Sequence, residues 1–265
     1  MNTLLKVLLY ELKSSFRSKW IIICALFFFL IAQGLFFFSG DDSKVLLSLF
    51  NIILLIIPVI ALFYGLTFFY SEKNFIEMML VRDINPLRLF AGVYLGLTVT
   101  ISAGVLAGLA AALLINSGKT GFEPAIFLSL IANCLFLIFI FSAIASFIAF
   151  RFNDRTRGFI AAVAVWLFTF VIYDGLILAL SYILRDYPAD NIMLAVVLLN
   201  PVDISRILLL LQFDVAMLMG YSAAVYQHTL GSGLSMAVLF FLLLTWVAVP
   251  YSITLRSFKR RDFSA

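Results

Sequence analysis

Residues 45–70 read VLLSLFNIILLIIPVIALFYGLTFFY, a run without a single charged side chain. A bilayer core of about 30 Å is crossed by roughly 20 apolar residues in a helix, and this run exceeds that length. Backbone N–H and C=O groups find no partners in lipid, so a run of this kind must satisfy them internally as a helix. Five further stretches repeat the pattern: Trp20–Gly40, Leu89–Asn116, Pro124–Phe150, Gly158–Leu184 and Leu234–Leu255. Across all of them the one ionisable acid or base is Asp174. The sequence therefore predicts an all-α integral membrane protein with six spans, covering residues 20–255.

Composition agrees, with 64% hydrophobic residues, 12% charged residues and 29 Phe, against about 25% charged in a soluble domain. Mean hydropathy is +1.14 and the pI is near 9.1. The basic excess has a topological cause. Fourteen Lys and Arg residues precede span 1, lie between spans 2 and 3 or 4 and 5, or follow span 6; the other four, Lys44, Lys119, Arg185 and Arg206, lie on the opposite side. The positive-inside rule then places both termini in the cytoplasm, with 256–265 as a basic cytoplasmic tail. Nineteen residues precede span 1 and no small-x-small cleavage pattern follows it, so it reads as a span and not a leader. Cys24 and Cys134 both fall inside spans, without CxxC spacing, and read as small apolar residues.

The connecting segments carry three patterns. Residues 1–19 form an amphipathic elbow helix, with Leu4, Leu8, Leu12 and Phe16 on one face and Lys6, Lys13 and Arg17 on the others, suited to the cytoplasmic membrane surface. The third span carries Gly92, Gly96, Gly104 and Gly108 at four-residue multiples. Small residues so spaced let a second helix approach closely, either within the chain or from a second copy. Residues 185–233 are too apolar for ordinary loop and predict two or three short helices on the external surface, one of them opened by Pro201 with Asp203 near its positive end. Reading Ile207–Gln227 as a seventh span would bury Asp214 and turn the basic tail outward.

Several chemistries are excluded. Ser117-Gly118-Lys119-Thr120 resembles the end of a phosphate loop, but Leu113 stands where the earlier glycine is required. A single histidine, His228, leaves no HExxH zinc site. Asp41-Asp42 lacks a second acidic cluster to hold magnesium, and no TVGYG filter is present. Met217, Met219 and His228 are spaced too loosely for a copper site. No catalytic residues and no resident metal are expected. Asp174, costly in lipid at about 2.5–3.5 kcal/mol on insertion scales, must face protein or water, as part of a substrate path or as a hydrogen-bonded structural acid.

The segment 71–88 between spans 2 and 3 opens helically, with Phe75, Met78 and Met79 at i, i+3 and i+4, and breaks at Asn85-Pro86. Its pattern E-x-x-F-I-E-x-x-L-x-x-x-x-x-P, following an amphipathic helix and within six spans, resembles the permease subunits of ABC-2 (type V) transporters. That resemblance implies a coupling helix inserted into a cleft of a separate cytoplasmic ATPase, which binds ATP and Mg. At matching positions Phe75, Glu77, Met78, Leu80, Arg82, Asp83 and Pro86 would form the contact. The stretch Leu80–Pro86 departs from the Ser-Gln-Pro-Val seen more often in the family.

A second set of residues is similar to the NosY-type permeases within that family. It comprises Tyr173-Asp174-Gly175, Leu199-Asn200-Pro201-Val202-Asp203-Ile204-Ser205-Arg206, Leu218-Met219-Gly220-Tyr221 and Arg260-Arg261-Asp262-Phe263. This resemblance implies a homodimer in the bacterial inner membrane, with a NosF-like ATPase inside and a NosD-like periplasmic β-helical protein outside. It further implies a part in maturing the copper–sulfur centre of nitrous oxide reductase. Asn200, Pro201, Asp203 and Arg206 would then face the external partner. An exporter of a lipid-linked glycan or drug, and a scaffold that moves no substrate, are the competing readings.

Overall fold

The structure is a computed structural model that describes residues 19–38, 42–80, 85–116, 124–185, 190–211 and 233–260. These are helical apart from short connections, with no strand among them. In chain order they form α1 (Lys19–Phe38), α2 (Asp42–Leu80), α3 (Pro86–Asn116), α4 (Pro124–Arg151) and α5 (Arg155–Leu167). A π-helical turn, Phe168–Ile172, joins α5 to α6 (Tyr173–Ile183). Then come α7 (Asp190–Val197), α8 (Pro201–Leu210) and α9 (Gly233–Arg260). Six of these segments are long and apolar enough to cross a membrane, α5 and α6 together making the fifth.

The predicted elbow helix with Leu4, Leu8, Leu12 and Phe16 lies outside the described residues, as do Arg82, Asp83, Met217, Met219 and His228. The bundle has two ends. The basic end carries the α2–α3 and α4–α5 connections, and the opposite end carries α7 and α8.

Helix α4 is the axis of the bundle, touching α2, α3, α5, α8 and α9. Its Cys134, Leu137, Ile138, Ile140, Phe141, Ala143 and Ala145 have no exposed surface. With no hydrophobic effect to draw helices together in lipid, close van der Waals contact between small residues does so. A Cβ on Gly65 of α2 would lie 2.9 Å from the Cβ of Ala145 on α4. Helix α1 packs along α3 across Gly104 and Gly108, where an added Cβ would stand 3.1 and 2.3 Å from the backbone oxygens of Ile21 and Ala25. Of the two uses left open for this glycine face, the half bearing Gly104 and Gly108 serves packing within the chain. Gly92 and Gly96 are also buried.

At the basic end an aromatic cluster ties four helices together. Phe69 lies 5.8 Å from Phe150, Phe90 lies 5.2 Å from Tyr251, and Tyr94 lies 5.1 Å from Tyr251. The hydroxyl of Tyr94 donates to the carbonyl of Phe139 at 2.7 Å.

Candidate functional site

Helix α2 has 39 residues, about 58 Å at 1.5 Å per residue, nearly twice the hydrocarbon thickness. The first half of the predicted coupling segment therefore does not begin a loop; it continues span 2 to Leu80 as one helix, longer than a bilayer core requires. Pro58 sits inside it; neighbouring helices can satisfy the backbone group a proline frees in a membrane helix. Within the projecting end Ile76 is buried and Met79 packs on the core, whereas Met78 is 51% exposed. Phe75 is half-buried, and the side chains of Glu77 and Leu80 lie outside the described residues. Pro86 opens α3, where Asn85 caps the helix by accepting from the Leu87 amide at 3.0 Å.

Tyr70 fastens this projection to the α4–α5 corner. Its hydroxyl lies 2.9 Å from the carbonyl oxygen of Phe152 and 3.3 Å from that of Asp154, donating toward both. Lys73 Nζ lies 3.4 Å from Asn153 Oδ1, to which it donates. The corner accommodates the phenol only because residue 158 is glycine: a Cβ there would lie 2.0 Å from the Tyr70 hydroxyl. Asp154 caps α5 by accepting from the Thr156 amide at 3.0 Å.

At the opposite end, residues singled out separately in the sequence come together. Asn200 caps α8 by accepting from the Val202 amide, and Pro201 takes the first helical position. The Asn200 amide donates to Asp203 Oδ2 at 2.8 Å and to the carbonyl of Thr169, inside the π turn, at 2.9 Å. The Tyr173 hydroxyl donates to the carbonyl of Val196 at the end of α7. Arg206 Nη1 lies 2.9 Å from Asp203 Oδ1 and 3.7 Å from Asp174 Oδ1.

The two carboxylates differ in surroundings. The Asp203 side chain is 3% exposed and that of Asp174 is 41% exposed. Burial pushes the Asp203 carboxyl up from 3.8 to about 6, with Arg206 and the Asn200 hydrogen bond pulling down and Asp174 pushing up. Asp174, Asp203 and Arg206, with Ile177, Val197 and Ile207, line an open cavity of about 280 Å³.

Among the described residues Asp174 is answered by a cation, Arg206, thirty-two positions away in sequence. The sequence held Arg206 as one of four basic residues on the minority side but no signal joining it to Asp174. Asn200, Pro201 and Asp203, expected to face a partner, are buried within this chain. They hold α8 against span 5, and only Arg206 in this set keeps an accessible portion. α8 is also not a surface helix: eight of its ten residues are buried, against α2, α4 and α9.

Two other features matter chemically. Tyr94, Leu95, Phe139, Leu244, Val247, Ala248 and Tyr251 line an open apolar cavity of about 380 Å³ among α3, α4 and α9. Among the described residues no group of three His, Cys, Asp or Glu side chains could hold a metal ion.

No protein-family model matches the chain. It is 24% identical, over 98% of its length and 99% of the relative's, to a protein of Stutzerimonas stutzeri described as "Probable ABC transporter permease protein NosY". A Pseudomonas aeruginosa protein of the same description is 25% identical over 95% of this chain and 96% of its own. The likeness thus runs over nearly the whole chain. The chain, with its six helices able to cross a membrane, resembles these ABC transporter permeases.

Proposed function

We propose that this permease couples ATP hydrolysis in a separate cytoplasmic subunit to movement across the bacterial inner membrane, with both termini inside. The observation that carries the reading is the continuation of α2 to Leu80 as one helix of 39 residues, with half-buried Phe75 and exposed Met78 near its tip. A helix continuous with a span can convert a push at its tip into motion of the span itself. A NosF-like ATPase gripping Phe75, Glu77, Met78, Leu80, Arg82, Asp83 and Pro86 would supply that push. The working unit in this proposal is a homodimer with a NosD-like protein on the outer face. Its cellular task is to help mature the copper–sulfur centre of nitrous oxide reductase, a role that comes from the resemblance to NosY-type permeases.

The test is ATPase stimulation in the reconstituted complex. Glu77→Arg and Pro86→Ala should each abolish stimulation of the ATPase while membrane insertion stays at the parent level. Normal stimulation by both variants would end the coupling assignment.

The open apolar cavity beside Tyr94 and Tyr251 favours one second reading, export of a lipid-linked or otherwise hydrophobic cargo. Its volume lies in the range of small-molecule pockets, which are mostly apolar. ATP-driven loss of a fluorescent lipid from the inner leaflet of proteoliposomes would support export, and its absence would leave the first reading.

A further inference from the structure

The fifth span is held unlike any other. Its buried residues, Gly158 and Ala162, lie near its start, and neither the π turn nor α6 buries any. Specific contacts gather at two places. At the start, Tyr70 of α2 reaches the carbonyls of Phe152 and Asp154, and Phe63 stacks on Phe159 with ring centres 5.7 Å apart. From its middle onward, Asn200 binds the Thr169 carbonyl and Arg206 faces Asp174.

We infer that the fifth span is a strut carrying displacement of α2 to α8, with Tyr70 and Gly158 as its input joint and the Thr169–Asn200 and Asp174–Arg206 contacts as its output joint. This rests on the proposed coupling role of α2. The physical grounds are comparative. Moving α2 against α4 means repacking a close contact, since Gly65 and Ala145 leave no room for another methyl group and packed interiors resist such change. The route through α3 is blocked in the same way, because Gly104 and Gly108 already sit against the backbone of α1. The fifth span meets less such resistance: partly buried Val165, Trp166 and Phe170 touch the core, but only Gly158 and Ala162 on it are buried. Its hydrogen bonds keep it stiff, and the π turn supplies a point of adjustment where such turns often mark function. Tyr70 and Gly158 act here as positioning residues, through the joint they form with the Phe152 and Asp154 carbonyls.

The experiment uses the full chain with its ATPase subunit in lipid nanodiscs. Cys24 and Cys134 are buried, which directs a thiol-reactive fluorophore to a single introduced cysteine. Asn74→Cys reports α2 beyond Tyr70, and Ile183→Cys, at a position 67% exposed, reports the fifth span past the output joint. Emission is compared before and after trapping with ATP and vanadate.

Both probes should respond in the parent. Tyr70→Phe keeps the ring but removes the hydroxyl, and should cut the Ile183 response at least threefold while the Asn74 response stays. Gly158→Ala should do the same, and where that variant fails to assemble, Tyr70→Phe decides alone. An undiminished Ile183 response in Tyr70→Phe, or a silent Ile183 probe beside a responsive Asn74 probe, overturns the strut and leaves the coupling role standing. A silent Asn74 probe in the parent overturns the coupling role and the strut with it.

Discussion

A methyl group on Gly108 would stand 2.3 Å from the carbonyl oxygen of Ala25. That oxygen belongs to the backbone of α1, so no change of rotamer relieves the clash and the two helices must separate. Gly108→Ala should therefore destabilise the chain by about 1–3 kcal/mol, the usual cost of overpacking. Gly34→Ala is the matched control, because an added Cβ there meets nothing within 4 Å. Thermal unfolding in detergent should show a lowered midpoint for the first variant and an unchanged or raised one for the second.

The Asp203–Arg206–Asp174 triad predicts unequal effects from similar substitutions. Asp174 is about two-fifths exposed at 3.7 Å from Arg206, so Asp174→Asn should cost under ~1 kcal/mol, as for exposed pairs. Asp203→Ala removes a buried acid 2.9 Å from Arg206 and also deprives the Asn200 amide of an acceptor. Its cost should exceed that of Asp174→Asn, at about 1–3 kcal/mol, the range for leaving a buried hydrogen-bonding group unsatisfied. Thermal midpoints of the two variants, measured side by side, check the ranking.

The raised Asp203 carboxyl fixes a sign for pH. The folded state holds this proton up to about 6, whereas an ordinary aspartate releases it near 3.8. Between those values the folded chain binds more protons than the unfolded one, so this group's contribution to stability falls as pH rises, and it is flat above. Asp203→Asn should remove that component from the pH dependence of the thermal midpoint. Arg206→Gln, which deletes the guanidinium that pulls the carboxyl down, should extend the falling limb above pH 6.

Asn200 joins three elements through one side chain, and Asn200→Ala should show it. The change removes the cap of α8 and the donors to Thr169 and Asp203. A lost cap alone costs about 1 kcal/mol, and the buried acceptors left without a donor add about 1–3 kcal/mol. Asn200→Asp should keep the cap yet set a second carboxylate beside Asp203, so it should not restore stability. Hydrogen exchange at the amides of 202–210 would rise in both variants.

What the sequence made legible follows the length scale of each feature. Six spans were visible because about 20 apolar residues in a row admit one explanation in lipid. The glycine face of span 3 was visible because helical periodicity repeats locally, and Pro201 announced the start of α8 for the same reason. The run from Tyr70 to Leu80 was read as a helical opening to a loop, although it continues span 2 unbroken; its charges at Glu72 and Lys73 suggested a boundary that the backbone ignores. Long-range pairings left no trace. Nothing in residues 158–184 announces a π turn, and nothing links Asp174 to Arg206 or Tyr70 to Gly158. The short helices between spans 5 and 6 were read correctly as helices, but α8 was expected on a surface. Its burial is decided by α4 and α9, which one segment's composition cannot reveal.

The π turn at Phe168–Ile172 amounts to one surplus residue wound into an otherwise regular rod. A wider turn sweeps less angle per residue than an α-helical one, so the surplus is absorbed locally and Tyr173 and Asp174 keep the facing that meets Val196 and Arg206. Deleting one position there should restore ordinary winding and leave that facing nearly unchanged, so relatives with one residue fewer in this stretch can keep their α8 counterpart as it is.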